Sequence, residues 1–286
     1  MSDTIEETLL IKNNLYTYDE LEEWYKDNEY ITKGYRPSGK KFKYYLKSIF
    51  KIHNEIVNIW THLIGSLFFL SLIIYSNSTN LINNPWGDSV ALNIFLVGIS
   101  ICFFLSFIMH TFHPYNEKIS KQLSKLDYIG ISISILGSYG PFIYFAFYCQ
   151  STLQWIYYIV LNILGALTIL FSSLDKFQQP KFRAYRGGTF ALLVVSALAP
   201  IIHRIVLNPK NQEDFSIEME YYILSIFLYA LGLFFYATRI PEKIWKGRFN
   251  YIFSSHQIFH LFTILAGFVT YYGIIKTHKA ALNITC

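Results

Sequence analysis

Two histidines four residues apart open the last long apolar stretch of the chain, "SSHQIFHLFTILAG" from 254 to 267. On an α-helix, positions i and i+4 differ by about 40° in azimuth and about 6 Å along the axis, so His256 and His260 share a face and can aim their imidazoles at one centre. Neutral imidazole is the commonest zinc ligand, held at about 2.0 to 2.1 Å. A third imidazole, His110, closes "SFIMH" (106 to 110) in another apolar stretch, and Asp127 sits in "KLDYIG" (125 to 130) at the head of a third. Three protein nitrogens leave a fourth position for water, the pattern of a catalytic rather than a closed structural site. The chemistry these residues point to is Zn2+ held by His110, His256 and His260. Ser106 shares the face of His110 and is a candidate donor to water or to an oxyanion.

These side chains must be positioned by helices that cross a bilayer. Hydrophobic residues make up 53% of the 286 and charged residues only 15%, which excludes an ordinary soluble domain. Windows long enough to span the hydrocarbon layer recur near 57 to 75, 91 to 110, 128 to 148, 155 to 174, 189 to 207, 221 to 239 and 253 to 275. The expected fold class is an all-α membrane protein, a bundle of seven transmembrane helices. Lys and Arg cluster before the first span and in the second, fourth and sixth connections, whereas the fifth carries mostly acids. The rule that basic loops stay cytoplasmic therefore puts the N-terminus in the cytosol and the C-terminus outside. Under that topology Ser106, His110, Asp127, His256 and His260 share one inner-leaflet layer, with Asp127 expected in the first turn of its helix. A strongly polar group at a helix centre costs about 2.5 kcal/mol or more, so such residues are candidates for function.

The expected organisation is a cytosolic segment over 1 to 50, a zinc-binding seven-helix domain over 51 to 275, and a short outer tail over 276 to 286. No cleavable leader is expected, because "MSDTIEETLL" is acidic and lacks an apolar core. "YDELEEWYKDNEYITKGYRP" reads as a short helix that could dock through Leu21, Trp24 and Tyr25. The basic run from Lys33 through Arg36 to Lys51 reads as an interfacial anchor on anionic lipid, not as a nucleic-acid surface. Glu55, Asn58 and His62 form a polar stripe expected to hydrogen-bond within the bundle, with His62 the alternative ligand. His113 is expected at the interface, His203 at the outer end of the fifth span, and His53 and His278 on solvated flanks. Cys102, Cys149 and Cys286 read as small hydrophobes with no disulfide framework. The triplets at Asn77 and Asn283 are acceptors for glycosylation on the outer side.

"HNEIVNIWTHLIG" (53 to 65), "SFIMHTFH" (106 to 113), "KLDYIG" and "SSHQIFH" (254 to 260) resemble, in order, the signature blocks of the progestin and adiponectin receptor family, also called the hemolysin III superfamily. The likeness runs from about residue 18 to 275 and is greatest to the adiponectin-receptor-like branch, whose fungal relatives are linked to zinc and sterol homeostasis. The resemblance implies seven helices with a cytosolic N-terminus, zinc on His110, His256 and His260, and Asp127 hydrogen-bonded to the water on the metal. It also implies a ceramide-hydrolysing activity.

Two functions follow. In one, the protein is a zinc-dependent amide hydrolase acting on a ceramide-like lipid, with Asp127 as general base and then acid. In the other it is a ligand-responsive receptor whose zinc is structural. A transporter is disfavoured by the scarcity of charged residues in the outer half. The expected partners are the lipid substrate and the membrane, plasma or internal (ER or Golgi). An extracellular protein or steroid ligand and a homo-oligomer are left open.

Overall fold

The computed structural model describes residues 14–79, 86–178, 182–207 and 219–281. A small antiparallel ladder of β1 (Tyr16–Thr17) and β2 (Lys33–Tyr35) precedes nine α-helices among the described residues: α1 (Phe42–Ser48), α2 (Ile56–Ser78), α3 (Trp86–Phe112), α4 (Glu117–Ala146), α5 (Ser151–Ser173), α6 (Arg183–Ser196), α7 (Leu198–Leu207), α8 (Met219–Thr238) and α9 (Ser255–Ala281). Seven are long and apolar enough to cross a membrane, α6 and α7 counting as one broken span over 185–207. Their outward faces carry exposed residues such as Ile64, Leu67, Ile74, Ile94, Leu170 and Phe227. Surfaces this apolar belong against lipid tails. The chain is an integral, multi-pass membrane protein.

Sequential helices pack as neighbours from α2 to α5, and α9 touches α2, α3 and α4 as well as α8. The core between them is aromatic and aliphatic, with Phe69, Phe95, Ile99, Phe103, Phe145 and Ile274 fully or almost fully buried. Helices α3 and α4 approach closely. A Cβ added to Gly137 would lie 3.1 Å from the carbonyl oxygen of Ile94, and one added to Gly130 would lie 3.1 Å from Cα of Cys102. Small residues at such a seam let two backbones meet without a driving force from water.

Helix α4 starts well before the apolar window that marks it. The Asn116 side chain accepts from the amide of Ile119 at 2.9 Å and caps it, and Lys121 pairs with Glu117 one turn on at 2.7 Å. Asp127 is therefore three turns inside the helix, not in its first turn. At the other end of the chain, α9 runs to Ala281, so the expected boundary at 275 falls inside a helix.

The segment before the bundle is not the short helix that its composition suggests. Thr17 donates both its amide and its hydroxyl to Glu20, at 2.7 and 2.8 Å. The amide of Tyr18 pairs instead with the carbonyl of Thr32 at 2.9 Å. Only one 3-10 turn, Glu23–Tyr25, survives. Gly34 has φ +93°, a conformation that suits glycine, and a Cβ there would press on Tyr251. The docking expected of this segment does occur: Leu21, Tyr25, Ile31 and Tyr35 form their own small core, and the rings of Trp24 and Tyr25 rest on His113.

Four other expectations change. Arg36 is no part of an interfacial run, being fully buried. His53 and His278 are buried rather than solvated, at 0% and 2% exposure. Cys149 is exposed, and it is disulfide-bonded rather than a buried hydrophobe. Asn77 lies in the last turn of α2 with its amide bonded to Ile73 and Asn93; Asn283 and Cys286 are outside the described residues.

Candidate metal centre

The start of α2, the end of α3, the first turns of α4 and the start of α9 meet at one end of the bundle. There His110 of α3 and His256 and His260 of α9 each offer one ring nitrogen, all within 4.8 Å of one another. The ring centroids form a near-equilateral triangle of 5.0, 5.0 and 4.8 Å. The rings stand edge-on to one another at 83°, 71° and 75°. Three planes meeting at steep angles around a gap fit a single small cation bound through nitrogen. Nε2 of His110 is buried and has no hydrogen-bond partner. Buried polar atoms are normally paired, so a lone pair left open at this point also fits a cation. No fourth His, Cys, Asp or Glu joins the group among the described residues.

Helix α2 donates no ligand, yet its polar stripe surrounds the cluster. Oε2 of Glu55 lies 2.7 Å from Nδ1 of His110 and also accepts from the Asn58 amide at 2.7 Å. One turn on, Oγ1 of Thr61 lies 3.2 Å from Nδ1 of His260. His62, the alternative ligand, is not in the cluster. Its ring lies flat against His260, 3.5 Å between centroids and 8° from parallel, and neither of its nitrogens is hydrogen-bonded. The stripe does hydrogen-bond within the bundle, as its spacing indicates, but through Glu55 it does so onto His110, and His62 takes no part.

Both histidine-bearing helix ends are held from outside the bundle. Arg36 donates to the carbonyl of His110 at 2.6 Å, to that of Thr111 at 3.0 Å and to Oγ of Ser48 at 2.8 Å. A guanidinium on the last carbonyls of α3 answers the negative end of the helix dipole. Burial lowers the pKa of this guanidinium from its usual value. Glu242, fully buried, accepts from the amide of Ser255 at 2.7 Å and from its hydroxyl, capping the start of α9 with a carboxylate. Asn28 from the N-terminal segment donates to the same carboxylate at 3.1 Å. Neither Arg36 nor Glu242 stands out in the sequence, because each lies in a stretch where charge is ordinary.

Asp127 and Ser106 are brought together beside His110, with the Ser106 hydroxyl in hydrogen-bonding reach of the carboxylate. The glycine seam explains the placement: Asp127 precedes Gly130 by three residues and Ser106 follows Cys102 by four, so the two lie about one turn from the close approach. Ser106 is 3% exposed. His203 lies away from the cluster, with Nδ1 2.7 Å from the hydroxyl of Tyr157. A surface groove along Tyr185, Gly188, Thr189 and Leu192 contains none of these residues.

Residues 50–271 match the family described as "Haemolysin-III related". The chain is 37% identical over 257 residues to the adiponectin receptor protein of Drosophila melanogaster, covering 90% of this chain and 58% of that one. It is 38% identical over 271 residues to the progestin and adipoQ receptor-like protein 1 of Caenorhabditis elegans, covering 94% and 62%. Against the ADIPOR-like receptor IZH2 of Saccharomyces cerevisiae it is 30% identical over 271 residues, covering 94% and 86%. The chain thus spans about three fifths of the length of the first two relatives.

Proposed function

The chain belongs to the haemolysin-III related family, with the progestin and adiponectin receptors, and on that premise we propose that its three histidines hold Zn2+ and that it hydrolyses the amide of a ceramide-like lipid. The observation that carries this reading is the convergence of His110, His256 and His260 within 4.8 Å of one another at one end of a bundle whose main core is aromatic and aliphatic. Zinc, when bound, polarises a carbonyl as a Lewis acid and lowers the pKa of a water towards about 7.

The protein's own groups do the rest. Asp127 accepts the proton of the attacking water as its oxygen bonds to the amide carbon, then delivers that proton to the departing nitrogen as the C–N bond breaks. The products are a fatty acid and a sphingoid base. Ser106, beside Asp127, donates to the carboxylate or to the developing oxyanion. The apolar walls of the bundle suit acyl chains and keep bulk water from the reacting atoms. The basic connections support an orientation with the histidine end at the cytosolic face and the end of α9 outside.

A second reading keeps the zinc but gives it a structural role in a receptor, which the names of the relatives favour. The two separate at Asp127. Metal analysis and ceramide turnover on wild type, H256A, H260A and D127N test both. The hydrolase reading expects about one zinc per chain in wild type and D127N, none retained in the histidine variants, and a loss of turnover in D127N of about 10²-fold or more. Zinc retained in both histidine variants would remove the site; signalling by a wild type with no turnover would favour the receptor.

A further inference from the structure

Helix α2 supplies no ligand to the histidine cluster, yet it makes hydrogen bonds to two of the three rings. The first bond fixes a tautomer. An ionised carboxylate only accepts, so with Oε2 of Glu55 at 2.7 Å the Nδ1 of His110 must carry the proton. That leaves Nε2, buried and without a partner, as the bare lone pair. Asn58 donates to the same Oε2 at 2.7 Å and holds the carboxylate in place. The second bond has the same logic. The single hydroxyl proton of Thr61 is directed to the carbonyl of Val57 at 2.7 Å, so its oxygen accepts from Nδ1 of His260 at 3.2 Å and frees that ring's Nε2. Two rings on two different helices are thereby set in the same protonation pattern by the cap and first turns of a third.

We propose that Glu55 is a positioning residue of this centre: its carboxylate locks His110 in the Nδ1–H form, raises the basicity of Nε2, and so sets the affinity for the cation, with Thr61 acting likewise but more weakly on His260. This rests on the metal reading above. The carboxylate does not join the three-nitrogen group, and its contact is to Nδ1, leaving the buried and unpartnered Nε2 of His110 as the open donor. An imidazole backed by a carboxylate is a stronger donor than one backed by water, and loss of such a partner typically costs 10- to 100-fold in metal affinity. A neutral acceptor such as the threonine hydroxyl orients a ring without adding charge.

The test is zinc affinity, measured by competition with a chromophoric chelator on the purified full chain, for wild type, E55Q, E55A and T61V. Cobalt(II) substitution, with its visible absorption, reports the ligand field in each. E55A is expected to bind zinc about 10- to 100-fold more weakly, E55Q to fall between it and wild type because it keeps an acceptor and loses the charge, and T61V to lose less than either. The metal-free melting temperature of E55Q should fall less than that of E55A, and the further rise on adding zinc should shrink in both. Wild-type affinity and cobalt spectrum in both Glu55 variants would overturn the proposal. A carboxylate oxygen bound to zinc in wild type and missing in E55Q by X-ray absorption would overturn it too, by making Glu55 a ligand. A wild type that binds no zinc would instead bring down the metal reading beneath it.

Discussion

The rings of His62 and His260 lie face to face at 3.5 Å, and the outer of the two has no hydrogen-bond partner on either nitrogen. His62 is thus a wall for a cation ligand rather than a ligand, with Phe103 at 4.6 Å on its other side. H62A should open a void and destabilise the protein by about 2 to 4 kcal/mol, as other large-to-small core changes do, and H62F should recover most of that loss by keeping an aromatic plane. Thermal unfolding in detergent measures both. Zinc content should be unchanged in H62F; its disappearance would show that His62 binds the metal after all.

Arg36 gives a sharper contrast between similar side chains. Its planar fork reaches the carbonyls of His110 and Thr111 and the hydroxyl of Ser48 at once. An ammonium cannot satisfy that geometry, so R36K should cost about 2 kcal/mol or more, near the worth of one or two hydrogen bonds to a charged group. Equal melting temperatures for R36K and wild type would count against the role given to the fork.

The far end of the bundle holds a second polar pair. Asp88 and His278, both buried, lie 3.2 Å apart between α3 and α9, and the hydroxyl of Tyr148 donates to Asp88 at 3.4 Å. Removing one partner leaves the other's polar atoms buried alone, so D88A or H278A should each cost about 1 to 3 kcal/mol, and the double variant less than their sum. His278 is 18 residues from His260, roughly 27 Å along α9, so zinc content should not change in either.

Acid should weaken the fold through His53. Its Nδ1 accepts from the amide of Glu55 at 3.1 Å while Nε2 faces the carbonyl of Ser48 at 3.2 Å, so the ring is held neutral. Burial, and then the charge of Arg36, hold its pKa well below the usual 6.5. The unfolded chain takes up the proton first, so this contribution is complete above about pH 6.5 and is lost as the pH falls below it. Melting temperatures of metal-free wild type should decline from pH 7 to pH 5, and those of H53N should decline less over the same range.

Much of this was legible in the residues themselves. Seven apolar windows give seven spans because the length of a crossing helix is fixed by the bilayer, and His256 and His260 face together because four residues are close to one turn. What the pattern could not supply is the rotation of one helix against another. Glu55 shows up as part of a stripe, but that the stripe meets His110 rather than a packing neighbour depends on how α2 and α3 are set about their axes. His278 looked solvated because hydropathy falls off near the end of the chain, while α9 continues as a helix and buries it. The fate of Arg36 was hidden for a related reason: among lysines that do face outward, nothing in the local sequence marks the one side chain that turns in.

Asn28, Glu242 and Ser255 form a chain of hydrogen bonds that starts outside the bundle and ends on the first residue of α9, one position before His256. A shortened protein that begins after Asn28 would strip that support while leaving every span intact. Such a truncation would pass a test for correct insertion and still be the wrong material for measuring metal, because the amino-terminal stretch, though it spans nothing, is mechanically part of the hearth.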